Sequence, residues 1–479
     1  MTYKHRVSVT EEATGVITPV NVDSALPVVI GTAPVNMTDV TNVNKPQLIY
    51  TYQEAVAAFG FVDANETTGV FEYTLSEFID SHFSKFGAAP VVLVNVLDPS
   101  AAKKAVASES VVVADGKGTL ANTGVIASSV VVTDKVLGTD YELSFTRDGK
   151  LNILAIEGGA LADGTVTVSY DMLDTTKVTD ADIIGGVEAD GSYTGLELVD
   201  SVFPMFRRTL GNIVVPKYSG SPAVAAVMKA KAKAVSGMFK AGALIDVPTD
   251  TVKKYQDVAA WKNDNNVTDP YQIVCWPMVS LGGKKYHLST QLAGVMALTD
   301  AANGDNPHKS PSNEPLQADR AVLIDSTAVW LTPTQAEEQL NGQGIVTALN
   351  FIGGWKLWGN NTAAYPAITD VKDRWIPVRR MFNWVGNTII QTMWQRLDQP
   401  INRRQVEIVT DSVNQWLNAL VARGYLLGAR VEFRESDNPD VQLLDGKTVF
   451  RVFLTPPTPN EEIEFILEYD TSYFATLFE

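Results

Sequence analysis

Cysteine is almost missing from this chain: Cys275 is the one cysteine in 479 residues. Neither a disulfide framework nor a CxxC redox or zinc site can be built from it, so stability must come from packing and assembly. Histidine is nearly as scarce, and His5, His82, His287 and His308 stand in no HExxH pattern and at no ligand-like spacing, so each reads as a solvated or core histidine. Excess positive charge is absent too. The net charge of −17 disfavours a nucleic-acid groove, which draws its affinity from clustered Lys and Arg. No apolar run approaches the roughly 18 residues of a membrane span. The charged, alternating start MTYKHRVSVTEEATGV lacks the apolar core of a secretory signal, so a soluble chain made in a cytoplasm is expected.

Catalytic and cofactor motifs are equally thin. Gly446-Lys447-Thr448 imitates the end of a phosphate loop, but the position that needs glycine holds Val441, and a turn is the better reading. GxSxG is absent, and Ser219-Gly220-Ser221 before Pro222 reads as helix capping. The acidic pairs Glu11-Glu12, Glu337-Glu338 and Glu461-Glu462 read as solvated faces. No enzyme activity, cofactor or metal is expected.

What is present is ordinary globular material, 45% hydrophobic and 19% charged, long enough for about three domains. ALPVVIG at 25–31 and the apolar run at 91–97 look like buried central strands, with helical spacing between them at 53–59 and 71–86. Strand, helix, strand in that order predicts a βαβ layer. Across 98–179 helical spacing vanishes, and β-rich runs punctuated by DGKG, RDGK and ADGT predict hairpins of an inserted all-β domain. Alternation of helix and strand returns over 196–276, which predicts an open, mostly parallel sheet covered on both faces. Helices are expected at 287–303, 335–341, 371–397 and 403–423, and strands at 427–434 and 447–455.

Three stretches stand out. TALNFIGGWKLWGNNT (347–362), approached by SPSNEPL (310–316), gathers Trp355 and Trp358 around Gly353, Gly354 and Gly359 with no acid and no histidine. Large flat side chains between glycines suit close backbone approach, so the stretch reads as a joint between two domains with both tryptophans buried. The two ends carry amphipathic strands of opposite charge. Tyr3, His5, Val7 and Val9 alternate with Lys4 and Arg6, while Ile463, Phe465, Leu467 and Tyr469 alternate with Glu464 and Glu468. Such strands suit one another across a sheet, within one chain or between chains. Finally, Arg374, Arg379, Arg380, Arg396, Arg403, Arg404, Arg423 and Arg430 cluster in the C-terminal block of an acidic chain. This suggests a surface aimed at an acidic partner or a neighbouring subunit, Arg379, Arg380, Arg396, Arg403 and Arg404 above all, with plain helix-surface solvation as the alternative.

YKHRVSVTEE, ALPVVIGTAP, SPSNEPL, NFIGGWKLWGNNT and RWIPVRRMFNWV together resemble the sheath proteins of contractile phage tails and of the related R-type bacteriocins, in the expected order over nearly the whole chain. The resemblance implies an α/β multidomain fold. A subtilisin-like domain without a working triad (21–97 and 180–344) would carry an inserted β-sandwich (98–179) and a C-terminal α+β domain (345–479), with an N-terminal arm at 1–20. It implies hexameric rings stacked helically around an inner tail tube, with baseplate and tail terminator proteins as further partners. The particle would be a virion tail or a bacteriocin, assembled in the bacterial cytoplasm. Arms 3–10 and 461–469 would add strands to neighbouring subunits, with 14–21 and 455–460 as linkers. A hydrolase on the subtilisin-like domain and a passive capsid or baseplate protein are the competing expectations.

Overall fold

The computed structural model describes residues 19, 20 and 22–477. The chain runs through β1 (Pro27–Gly31), β2 (Gln47–Ile49), α1 (Tyr52–Phe59), α2 (Thr74–Ile79) and β3 (Val91–Asn95). Six strands follow with no α-helix between them: β4 (Lys103–Val113), β5 (Lys117–Thr123), β6 (Val131–Val132), β7 (Tyr141–Phe145), β8 (Lys150–Ala155) and β9 (Gly164–Leu173). Helix and strand then alternate through α3 (Asp180–Ile184), α4 (Val202–Phe206), β10 (Asn212–Val214), α5 (Pro222–Lys233), β11 (Gly242–Asp246), α6 (Tyr255–Asp264) and β12 (Gln272–Cys275). Next come β13 (Met278–Leu281), β14 (Lys284–Tyr286), α7 (Leu288–Ala302), β15 (Arg320–Val322), β16 (Ala328–Val329), α8 (Pro333–Gln339), β17 (Ile345–Asn350) and β18 (Trp355–Trp358). The last elements are α9 (Val371–Arg374), α10 (Ile376–Met393), α11 (Arg403–Ala422), β19 (Gly428–Phe433), α12 (Asp440–Leu444) and β20 (Phe450–Thr455).

One eight-stranded sheet, in the order β18-β17-β12-β11-β10-β1-β3-β2, carries the body. Its six inner strands are parallel and its two edge strands, β18 and β2, are antiparallel. Parallel strands need both faces covered, and the side chains show it. Val28, Ile30, Ile213, Ala243 and Ile245 point into one apolar core, and Val29, Val214 and Leu244 into the other. This is why 25–31 and 91–97 read as unbroken apolar runs. α7 lies in the second core with even Ser289, Thr290 and Gln291 buried.

β4 to β9 fall between β3 and β10 in the chain but join neither. They form two three-stranded sheets, β4-β9-β6 and β5-β8-β7, around their own core of Val111, Leu120, Tyr141, Leu151, Ile153 and Val168. At the C-terminal end α10 and α11 pack Met381, Trp384 and Val385 against Val413, Leu417 and Leu420, with Val431 of β19 and Val22 closing the cluster. Asn402 caps α11 by accepting from the Gln405 N–H at 2.9 Å.

Several expectations change. The helix expected over 371–397 is interrupted at Trp375, whose ψ of 126° is extended, because Pro377 sits in the next first turn and starts a new helix there. The helix expected over 71–86 is α2 followed by a π-helical turn, Asp80–Lys85. Residues 278–329, where only the helix at 287–303 is expected, also hold a four-stranded antiparallel sheet, β14-β13-β15-β16. Residues from 345 do not begin the C-terminal block, since β17 pairs with β12 and β18 with β17 in the large sheet. Residues 461–469 form no strand with any other part of the described chain. The arm at 3–10 lies outside the described residues.

Candidate assembly site

The two motif stretches meet. β17 and β18 form a hairpin whose turn, 351–354, uses Gly353 and Gly354 at φ 79° and 89°, a conformation that costs other residues energy. SPSNEPL then runs along the outer edge of β18. Leu316 N–H donates to Trp355 C=O at 3.0 Å, Leu357 N–H to Glu314 C=O at 3.0 Å and Asn313 N–H to Leu357 C=O. Ser312 Oγ accepts from the Gly359 N–H at 3.0 Å, and Ser310 Oγ lies 2.5 Å from Asn360 Oδ1. The sheet edge is thereby closed to other chains.

Gly359 is buried with φ 133°, and a Cβ there would stand 2.7 Å from Asn341 Nδ2 and 3.2 Å from Ile345 C=O. That amide holds the hairpin's base, donating to Ile345 C=O (2.9 Å) and Trp358 C=O (3.0 Å). Next along the chain, Asn360 C=O accepts from Ile376 N–H (2.8 Å) and Thr362 N–H donates to Arg374 C=O (2.8 Å). Arg374 Nε donates to Asn361 Oδ1 at 2.9 Å, and its guanidinium lies over Tyr365 (4.3 Å) and Trp375 (4.0 Å). Contact with the helical block is therefore made by Asn360, Asn361 and Thr362. Trp355 and Trp358 are only half-buried, Trp355 tilting against exposed Trp330 at 6.1 Å, while Leu357 between them is fully buried. The expectation of two buried tryptophans fails because β18 is an edge strand with one open face.

Beneath the same corner Lys262, 1% exposed, donates to Gln343, Ala363 and Tyr365 carbonyls at 2.5, 2.9 and 2.8 Å. Burial pushes its pKa down to about 8. Nothing in the sequence around Lys262 distinguished it from a solvated helix lysine.

Arg379 and Arg380 are not available to a partner. Arg379 bonds Asp373 Oδ1 (3.0 Å) and Asn383 Oδ1 (3.2 Å), and Arg380 pairs with Asp300 inside the protein, at 3.0 and 2.5 Å. Both are buried because their helical positions face the body, which counting charges along the chain does not reveal. Arg403 and Arg404 are exposed and Arg396 half-buried; Arg403 pairs with Glu407 of its own helix at 2.7 Å. Trp394, Leu397 and Ile401, beside them, are exposed apolar residues that the charge pattern concealed.

A buried polar cluster lies at the C-terminal ends of β11 and β12, where an enzyme would keep its centre. His287 Nδ1 is 2.9 Å from Glu77 Oε2. Burial alone would lower the His287 pKa, but the Glu77 carboxylate, and Asp246 beyond it, push it up to about 9. Ser289 Oγ bonds Asp246, and Ser219 Oγ accepts from the Asp246 N–H at 3.0 Å; burial raises the Asp246 pKa. Both hydroxyls are fully buried and face a carboxylate, with imidazole on another partner. A serine nucleophile needs the imidazole beside it and substrate access. Ser221, expected to cap α5, bonds Asp180 at 2.5 Å.

In the C-terminal segment, Ile463, Phe465, Leu467 and Tyr469 are exposed by 67, 83, 94 and 80%, and Glu464 and Glu468 are exposed as well. Tyr473 and Leu477 extend the apolar series. The two-stranded sheet β19-β20 offers a matching feature. The outer edge of β19 is capped where Asn414 of α11 takes both the N–H (2.8 Å) and the C=O (3.4 Å) of Val431. No such cap covers the outer edge of β20 among the described residues.

The fold is shared with the sheath of the PVC extracellular contractile injection system, solved in its contracted state: TM-score 0.58, 16% identity, 99% of each chain covered. The tail sheath protein of Burkholderia phage BcepMu is 29% identical over 497 residues, spanning 99% of this chain and 98% of its own. Over nearly its whole length the chain is similar to a contractile phage tail sheath protein. No family model matches it. A second sheath relative, the major tail sheath protein of Serratia phage KSP20, is 26% identical over 62% of this chain and 72% of its own. These relatives are named as structural tail sheath proteins and not as enzymes.

Proposed function

We propose that the chain polymerises as stacked hexameric rings around an inner tail tube and contracts to drive that tube through a target envelope. The observation that carries the reading is the pair of complementary loose ends on one molecule. An amphipathic segment, 463–469, is unpartnered in its own chain, and a two-stranded sheet, which is marginal by itself, keeps one edge open at β20. Full-length similarity to a phage tail sheath protein supports it. The arms 3–10 and 463–469 of neighbouring copies extend the β19-β20 sheet by strand addition, where backbone hydrogen bonds supply affinity and the alternating side chains supply register. Such a mesh survives rotation of the bodies, so contraction exchanges body contacts without breaking the polymer, and the energy is stored in the assembly.

In this reading the body (about 21–97 and 180–362) is a subtilisin-like layer whose cluster of Asp246, His287, Ser219 and Ser289 is a disused centre. Residues 98–179 stand out from it, and the helical block with β19 and β20 receives the arms. Arg396, Arg403 and Arg404, with Trp394, Leu397 and Ile401, are the surface offered to the tube or the adjoining subunit. Baseplate and terminator proteins close the two ends, and assembly takes place in the host cytoplasm. The test is to delete residues 1–12 and image the purified protein by negative-stain electron microscopy. The full chain gives tubes and the deletion gives short or no tubes; intact tubes of normal stability sink the arm reading, and discrete particles from the full chain point to a capsid or baseplate protein.

A further inference from the structure

We infer that Glu461 is a positioning residue that pins the C-terminal linker to the WGNNT corner, so that the arm swings from residue 462 and not from the end of β20. β20 ends at Thr455; Pro456 is buried, Pro457 and Pro459 are half-buried, and every residue over 460–474 is exposed. Between these points the chain crosses from the β19-β20 hairpin to the wall built by Asn360 and Arg374. There Glu461 Oε1 accepts from Asn360 Nδ2 at 3.0 Å, and Oε2 lies 3.6 Å from the Arg374 guanidinium. Arg374 is already oriented by Asn361 and by the rings of Tyr365 and Trp375, so it loses little freedom in meeting the carboxylate. Glu462, one residue on, is exposed, with neither partner.

The strap has no packed floor. A cleft of about 930 Å³, lined by Ser312, Asn341, Trp358, Tyr365 and Arg374, runs beneath Pro457–Glu461. Full apolar burial holds the linker at Pro456, with Pro457 and Pro459 half-buried after it, and the polar tie at Glu461 is the second pin. Three prolines within 456–459 stiffen the span between the pins. A stiff strap held at both ends carries the arm's pull into the corner where the sheet edge and α10 meet. The consequence for assembly rests on the proposed binding of 463–469 to a neighbour; the pinning itself does not.

The test uses the full-length chain in its unassembled form, spin-labelled at Thr458 and at Glu337 across the cleft, with the distance distribution read by pulsed electron resonance. A narrow distribution is expected for the parent, and a broad, longer one for Glu461→Ala and for Asn360→Asp, which sets two carboxylates together. The combination Asn360→Asp with Glu461→Gln restores the amide–carboxylate pair and the narrow distribution. An exposed pair of this kind shifts the held population by about fivefold, and raised salt should loosen the parent in the same direction. Unchanged distributions in both single variants, or no recovery in the combination, overturn the proposal. Deleting 463–479 separates the two readings: tubes that persist without the arm refute the arm's role and leave the pin standing.

Discussion

Replacing Arg380 by methionine tests whether the C-terminal arginines are struts or contacts. Arg380 of α10 and Asp300 of α7 are 8% and 2% exposed. They make two hydrogen bonds, at 3.0 and 2.5 Å, and Asp300 also accepts from Ser24 Oγ at 2.6 Å. The pair thus fastens the helical block, the body and the entry of the chain at one buried point. Removing one member leaves the other charge buried, a loss of about 3–5 kcal/mol, whereas exchanging both for apolar residues is often neutral. With a urea dependence of about 3–5 kcal/mol per molar for a chain of this size, Arg380→Met should lower the unfolding midpoint by roughly 1 M. Arg380→Met with Asp300→Leu should regain most of it. Tryptophan fluorescence of the unassembled protein reads the midpoint, since Trp384 lies on the same helix. A single variant with the parent's midpoint but impaired tubes would place Arg380 on an outer surface and refute the reasoning.

Gly359→Ala should cost about 2–4 kcal/mol, from an unfavourable φ and from displacing the Asn341 amide that ties β17 to β18; a midpoint near the parent's would mean the corner yields. Leu467→Asp should leave that midpoint within about 0.5 kcal/mol, because the side chain is 94% exposed, yet abolish tubes. The two buried histidines should contribute opposed stability limbs whose joint peak lies near pH 6.5. Burial holds the His82 pKa down at about 3, below its unfolded 6.5, so stability is lost as pH falls from 6.5 towards 3. His287 is held up at about 9, so its contribution is complete below 6.5 and lost as pH rises towards 9. Each amounts to about 2 kcal/mol some 1.5 pH units from the peak. His82→Leu should flatten the acid limb, measured as midpoint against pH; an unaltered limb contradicts the assignment.

The parallel sheet was readable because its strands must be apolar on both sides, and 25–31 and 91–97 could hardly be anything else. The hairpins of β4 to β9 were announced by their turn residues. By contrast, β13 to β16 are short, paired across long loops and interrupted by α7, so no local period marks them. Charge clustering grouped the C-terminal arginines together, but exposure depends on which side of a helix packs, and Arg379 and Arg380 turned inward while Arg403 and Arg404 did not. The amphipathic alternation of 461–469 was visible, but a strand needs a partner, and its own chain supplies none.

The glycine and tryptophan stretch gains a more particular meaning from what meets beside it. Its glycines do separate jobs: Gly353 and Gly354 make a turn in open space, while Gly359 admits a backbone crossing that no side chain could share. Within four residues of Gly359 the chain touches the sheet edge through Asn341, the start of α10 through Asn360 and Thr362, and the departing C-terminal linker through Asn360 again. Lys262 ties three carbonyls of the same corner from below. Under the proposed arm role, a force on 463–469 would enter the molecule here, where a closed sheet edge, a helix N-terminus and a buried ammonium are bound to one another. A corner tied in this many directions resists deformation, so the proposed assembly would take up motion between neighbours in the exposed chain beyond Glu461.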